Sequence, residues 1–184
     1  SNNYSDYQWS LMPQNIEIGG RNLLLDSVDR IRVLSNNSSR WPIEEQKMDG
    51  YRRVRRTYPE GVTSTALSLY TQEFFIAPMT GQYTASVSVR PNSYEIQLRN
   101  RFKEYGEYTT CPPNEWTVIS CTVDLAEGEE QRLWGFQGAM PEDQIQWIDY
   151  RNWKIEKGNT ATDWTPAPED VDEAIQAVDT KYSD

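Results

Sequence analysis

Histidine is absent from this 184-residue chain. Its absence removes the Ser-His-Asp and Cys-His nucleophile systems, the HExxH zinc site and the commonest general base near neutral pH, leaving carboxylates for acid–base work. Cysteine is nearly absent as well. Cys111 and Cys121 are too few for a disulfide framework and match no four-ligand zinc spacing, so both read as ordinary strand residues, with a hairpin disulfide as the alternative. Basic residues are outnumbered 18 to 28, for a formal net charge of −10, which argues against tracking a nucleic-acid backbone or an anionic membrane while leaving room for local basic patches. No stretch approaches the roughly 18 apolar residues of a membrane span, and the N-terminus lacks the charged-then-apolar pattern of a signal peptide. A cytosolic chain, or a segment of a longer one, is the expectation.

Aromatic residues are what the chain has in quantity: 7 Trp, 11 Tyr and 4 Phe make up 12% of it. The length suits one domain, at roughly 100–200 residues each. Few but bulky side chains are then expected to make the core, since each buried ring removes a large area from water.

Residues 1–18 are polar, without sustained periodicity, and read as a lead-in. From Gly19 onward short β-branched and aromatic runs alternate with Pro, Gly and Asn, the texture of an all-β sandwich or barrel. In Gln82 to Arg90, Tyr83, Ala85, Val87 and Val89 alternate with Thr84, Ser86, Ser88 and Arg90, one face apolar and the other polar. The next run sets Tyr94, Ile96, Leu98 and Phe102 against Glu95, Gln97, Arg99 and Arg101. Thr65 to Ala77, Trp116 to Asp124 and Gln131 to Gln137 read as further strands. Ile148 and Tyr150 share one parity while Trp153 and Ile155 share the other, which predicts a β-bulge at Arg151-Asn152. Six or seven such strands need two packed sheets, so the expected fold is all-β, a jelly-roll-like β-sandwich of two antiparallel sheets over 19–165.

After Pro166-Ala-Pro168 the composition changes, and 166–184 reads as a linker and the start of a helix, with Pro168 in its first turn and Glu169, Asp170 and Asp172 complementing the helix dipole. Val171, Ile175, Val178 and Tyr182 are spaced four, three and four. That is either a coiled-coil seam joining copies of the chain or the face of a helix capping the sandwich.

Two borders are more specific. The segment Lys154-Ile-Glu-Lys-Gly-Asn-Thr-Ala-Thr-Asp-Trp-Thr-Pro-Ala-Pro-Glu-Asp170 resembles the K-(L/I)-E-x-G-x-x-A-T-D-W-T-P-A-P-E-D ending of modules in tail, baseplate and tail-fibre proteins of bacteriophages that infect Gram-positive bacteria. Gly20-Arg-Asn-Leu-Leu24 resembles their G-R-N-L-L opening, and Tyr7-Gln-Trp-Ser-Leu11 is similar to the Y-x-W-S-L that closes the preceding segment. The resemblance implies a carbohydrate-binding-module-like β-sandwich. It further implies host cell-wall polysaccharide and other tail or baseplate proteins as partners, a place in the virion after assembly in the host cytoplasm, and membership of a homo-oligomer. The borders identify the module without locating its site, and Trp164 reads as an anchor that seals the sandwich.

Saccharides present C–H faces ringed by hydroxyls, which exposed aromatic planes and polar side chains bind. Parity assigns Tyr83, Tyr94, Tyr150 and Trp153 to the core, leaving Trp41, Tyr51, Trp134 and Trp147 as candidate carbohydrate contacts. Trp41, in the polar loop before Pro42, is the leading single aromatic. Tyr51-Arg-Arg-Val-Arg-Arg-Thr-Tyr58 holds four arginines in five residues. It reads either as a solvated edge strand that pairs with nearby carboxylates or as a guanidinium face, Arg53 and Arg55 joined by Arg99 and Arg101, for phosphate or carboxylate groups on a wall polymer.

A glycosidase would need two acids about 5–9.5 Å apart across a cleft. The adjacent pairs Glu44-Glu45, Glu129-Glu130 and Glu142-Asp143 sit in turn-like stretches, so no catalytic residue is assigned. Neither a cofactor nor a metal is called for. Carboxylates and loop carbonyls would admit a structural calcium, without indicating ligands. The alternative to sugar binding is a structural spacer or protein-docking module of the tail, with a wall hydrolase further behind; outward aromatics clustered on one sheet would favour the sugar-binding module.

Overall fold

The alternating runs pair into two stacked sheets. The computed structural model describes residues 19–25, 27, 30–61, 65–140 and 145–182. Within them lie β1 (Leu34–Ser35), β2 (Ile43–Lys47), β3 (Arg52–Arg56), β4 (Ala66–Ile76), β5 (Gly81–Pro91), β6 (Ile96–Phe102), β7 (Glu104–Tyr105), β8 (Thr109–Cys111), β9 (Thr117–Leu125), β10 (Glu130–Ala139), β11 (Ile148–Lys157) and helix α1 (Pro168–Tyr182). The first sheet runs β1-β4-β10-β6-β7, with β8 also on β6; the second runs β2-β3-β11-β5-β9. Every pairing is antiparallel. From β3 to β6, and again from β9 to β11, successive strands alternate between sheets, the jelly-roll arrangement.

The core forms where the inward parities of the two sheets meet. Leu67, Leu69, Leu98, Phe102, Leu133 and Phe136 come from the first sheet, and Val54, Tyr83, Val87, Ile119, Tyr150 and Trp153 from the second. Edge-to-face rings tie the layers together: Phe75 lies 5.4 Å from Tyr83, and Phe136 lies 5.7 Å from Tyr150. The Tyr150 hydroxyl accepts from the Val33 amide and donates to Glu45, each at 3.0 Å, so this buried phenol has both partners.

Tyr83, Tyr150 and Trp153 point inward as parity requires, whereas Tyr94 precedes β6 and is only half-buried. The bulge in β11 is present. Its register against β5 shifts between Arg151 and Lys154, and Asn152 takes a left-handed φ of 61°.

Three expectations are corrected. The described residues hold eleven strands rather than six or seven, the additions being β1, β7 and β8, which are short, and β2, whose sequence Ile-Glu-Glu-Gln-Lys carries no apolar alternation. Glu44 and Glu45 therefore lie in a strand, not a turn. The arginine-rich strand β3 is not an edge strand, because it pairs with β2 on one side and β11 on the other.

Both cysteines are buried free thiols, Cys111 on β8 of the first sheet and Cys121 on β9 of the second. Burial pushes the Cys111 thiol up to about 11 and raises Cys121 as well. Neither is expected to react with an aromatic disulfide reagent at pH 8 in the native protein, and both are expected to react in guanidinium; fast native labelling would contradict this packing.

The border motifs interlock. Asn22, fully buried, donates from Nδ2 to the Ser27 hydroxyl and to the carbonyls of Trp153 and Thr165, while the Leu23 amide donates to the Ile155 carbonyl. Gly19 approaches β11 so closely that a Cβ there would sit 1.9 Å from the Lys157 carbonyl oxygen. Arg21 pairs with Glu169 at the start of α1. In the closing motif, Lys154 and Glu156 form a buried ion pair at 3.5 Å. Lys154 Nζ also donates to Thr162 Oγ1 and the Asp163 carbonyl, while Glu156 accepts from the Gly20 amide and from Thr162, so the chain segment 158–165 is strapped across the outer face of the second sheet.

Along α1, Val171, Ile175 and Val178 form an exposed apolar stripe. A helix packed down on the sandwich by that stripe is not what is observed. The 1–18 lead-in, with its Tyr7–Leu11 motif, and the Glu142-Asp143 pair lie outside the described residues.

Candidate functional site

The outward side chains of the first sheet combine rings and guanidiniums. In β6 the alternation that buries Ile96, Leu98 and Phe102 turns Arg99 and Arg101 outward. In β10 it turns out Arg132 and Trp134, and then a bulge at Gly135 changes parity so that Phe136 returns to the core and Gln137 faces out opposite Arg99. Only glycine fits this bulge, because a Cβ would lie 2.9 Å from the Leu69 carbonyl carbon. Strand β4 contributes Tyr70 opposite Trp134 and Phe74 opposite Arg132. Tyr105 in β7 faces Arg101 across the pairing, and Tyr108 follows in the loop.

The result is an alternating ladder. Arg132 lies 4.7 Å from the Phe74 ring and 5.2 Å from Trp134; Arg101 lies 4.5 Å from Trp134 and 4.7 Å from Tyr105; Arg99 lies 4.3 Å from Tyr105 and 4.4 Å from Tyr108. Tyr70 flanks Arg132 at 5.4 Å. Phe74, Tyr105 and Tyr108 are each about half exposed, at 51%, 49% and 52%. Among the described residues none of these three arginines pairs with a carboxylate: Arg99 bonds Gln137 at 3.3 Å, Arg132 reaches the Thr71 carbonyl at 3.4 Å, and the buried Nε of Arg101 has no hydrogen-bond partner. The face is apolar in its rings and positive in its edges. Cation–π contacts set each guanidinium against the rings that flank it.

The second sheet carries a different arrangement on its outer face. Asp149, only 2% exposed, accepts from Arg53 Nε at 3.0 Å and from Arg90 at 2.7 and 3.0 Å. Arg55 pairs with Glu44 at 2.7 Å, holding the Glu44 carboxyl below its usual range, and lies 4.5 Å from the Trp147 ring. Tyr51 lies 5.3 Å from Arg90 and meets Trp116 edge-on at 6.0 Å. Arg52, on the inward parity of β3, pairs with Glu45 at 3.0 Å.

The sequence-predicted residues thus divide. Arg99, Arg101 and Trp134 share the ladder, whereas Tyr51, Arg53, Arg55 and Trp147 share the second sheet's face, on the opposite side of the sandwich. Arg53 and Arg55 therefore do not join Arg99 and Arg101 in one anion site, and both are already paired with carboxylates. Trp41 belongs to neither cluster; it stands in the loop after β1, with Arg40 at 5.2 Å from its ring. Sequence reasoning missed Tyr70, Phe74, Tyr105, Tyr108 and Arg132 on the first face, and Trp116, Arg90 and Arg151 on the second. The polar parity of β6 was a signal for its neighbours, but naming them needs the strand pairing.

Glu44, Glu45 and Glu129 are engaged with Arg55, Arg52 and Lys103 respectively. Among the described residues no group of three or more His, Cys, Asp or Glu side chains is placed to hold a metal ion.

No family model matches the sequence, and no curated protein matches it. Among solved structures, a tripod from the baseplate of bacteriophage Tuc2009 is similar with a TM-score of 0.48 and 20% identity over 84% of this chain; the chain spans 60% of the length of that one. The CBM22-1 xylan-binding domain from Paenibacillus barcinonensis Xyn10C gives 0.46 at 10% identity, over 79% of this chain and 99% of the domain. A Clostridium thermocellum xylanase 10B structure, CBM22-1 and GH10 modules complexed with xylohexaose, gives 0.43 at 13% identity over 83% of this chain and 30% of that one. These are partial likenesses of fold, to a phage baseplate protein and to carbohydrate-binding modules.

Proposed function

We propose that this chain is a non-catalytic carbohydrate-binding module of a phage tail or baseplate, and that the ladder face of its first sheet adheres to cell-wall polysaccharide of a Gram-positive host. The observation that carries the reading is the outward alternation of rings and uncompensated guanidiniums from Phe74 to Tyr108. Rings on adjacent strands of one sheet offer successive platforms to the C–H faces of sugar units, and the arginines between them donate to hydroxyls and to anionic substituents. The resemblance of both borders to phage tail modules supports the setting in the virion.

Each site is weak, because sugar recognition exchanges water hydrogen bonds for protein ones at little net gain. Adhesion then comes from several copies, joined through the exposed stripe of α1. The test is capture of the tagged chain, presented as a multimer, on intact Gram-positive cells with and without chemical stripping of wall polysaccharide. Binding is expected to vanish on stripping and to weaken between about 0.05 and 0.5 M salt as exposed charge is screened. A multimer that binds no cells would leave the spacer reading in its place.

A further inference from the structure

On the opposite face of the sandwich, Arg53, Arg90 and Arg151 gather around a single carboxylate. Asp149 answers Arg53 and Arg90 but not Arg151, whose buried Nε has no hydrogen-bond partner and whose guanidinium lies 3.9 Å from the Trp116 ring centre. Burial and the neighbouring charge of Arg90 lower its pKa from the ordinary arginine value, so the charged form is held there against a cost that an anion would relieve.

Register places a cleft beside this cation. Arg151 sits opposite Ser88, and Ser88 opposite Val118; Ser88, Val118 and Asn152, the residue after Arg151, edge a cleft of about 460 Å³ whose floor includes Ser86 and Ser120 and whose wall is Thr162, Asp163 and Trp164, so Arg151 stands next to the lining rather than in it. That volume is within the roughly 300–1,000 Å³ of ligand sites. Among the described residues the hydroxyls of Ser86, Ser88 and Ser120 make no hydrogen bond within the protein, while Trp164 is anchored by Nε1 to the Trp153 carbonyl at 3.2 Å and turns its ring to the cleft. Trp164 is thus a wall of the cleft as well as an anchor.

We infer that this cleft is a second saccharide site, distinct from the ladder, that takes a hexose unit bearing one anionic group, with the sugar over the serine floor against Trp164 and the anion on Arg151. A phosphate ester and a uronic carboxylate share this chemistry. The site goes beyond the ladder reading and does not depend on it.

The test is titration of the full chain with glucose 1-phosphate, glucuronic acid, glucose and inorganic phosphate, followed by NMR of the Arg151 Nε–H, the Trp116 and Trp164 indoles and the Ser88 and Ser120 amides. One or both sugar anions are expected to give saturating shifts at all five positions, and which one does so distinguishes ester from carboxylate. Arg151→Gln is expected to weaken that binding at least tenfold, as is Ser120→Trp, which fills the cleft without touching the arginine; Trp134→Ala on the ladder is expected to leave it unchanged. Equal shifts with glucose, equal binding of inorganic phosphate alone, no saturation with either sugar anion, or full binding by a folded Ser120→Trp protein would each overturn the inference. Loss of these shifts with retained adhesion to cells would sink this site and spare the ladder.

Discussion

Trp134→Ala is expected to reduce capture on host cell walls at least tenfold per site while leaving the fold intact. The indole is the middle rung of the ladder, flanked by Arg101 at 4.5 Å and Arg132 at 5.2 Å. Removing it takes away the central platform and one of the rings that flank each guanidinium, leaving Arg101 on Tyr105 and Arg132 on Phe74. A tenfold loss corresponds to about 1.4 kcal/mol, within what a desolvated aromatic and its cation–π partners supply. Because copies act together, a multimer multiplies the per-site loss. Trp134 is on the outer face, so stability is expected to change by no more than about 1 kcal/mol. Arg101→Lys is the companion variant: it keeps the charge but loses the planar stack, and is expected to fall between wild type and Trp134→Ala. Capture of Trp134→Ala at the wild-type level would remove the ladder as the adhesive face.

Glu156→Ala has the larger expected effect on stability. Glu156 and Lys154 are 0% and 1% exposed, and together they satisfy the Gly20 amide, Thr162 and the Asp163 carbonyl. Removing the carboxylate leaves an ammonium buried without its counterion, which costs about 3–5 kcal/mol. It also removes one tie of each border motif to β11, the Gly20 amide bond of the opening motif and the Thr162 bonds of the closing one. The urea midpoint is expected to drop accordingly, and amides of 158–165 to lose hydrogen-exchange protection before the rest of the sandwich. The double change Lys154→Met with Glu156→Leu is expected to recover much of the loss, since it removes both charges and keeps the volume. A loss below about 1 kcal/mol for Glu156→Ala would show that the strap does not depend on the pair.

Much of the sandwich was legible because strand alternation is a local property. Gln82 to Arg90 and Trp116 to Asp124 each announce one apolar face, and the parity switch around Arg151-Asn152 announces a bulge, without reference to any partner strand. β2 was not legible for the complementary reason: Glu44, Glu45 and Lys47 form a strand only because β3 lies beside them with arginines in register. The same dependence made β3 look like an edge strand.

By itself the sequence determined the fold class, the inward residues of the main strands, the border motifs and the supply of rings and guanidiniums for a saccharide surface. These follow from the two-residue period of a strand and from residue chemistry, which any short window contains. Only the tertiary structure decided which of those rings stand together. It put Arg99, Arg101 and Trp134 on one face with Tyr70, Phe74 and Tyr105, put Arg53, Arg55 and Trp147 on the other, and left Trp41 apart. It also showed which charges are spent, since Asp149 neutralises arginines that lie 59 and 96 residues away in the chain. The physical reason is that a binding face is made across strands, where register and bulges such as the one at Gly135 set which side chains are neighbours, and those are fixed by pairing between distant segments.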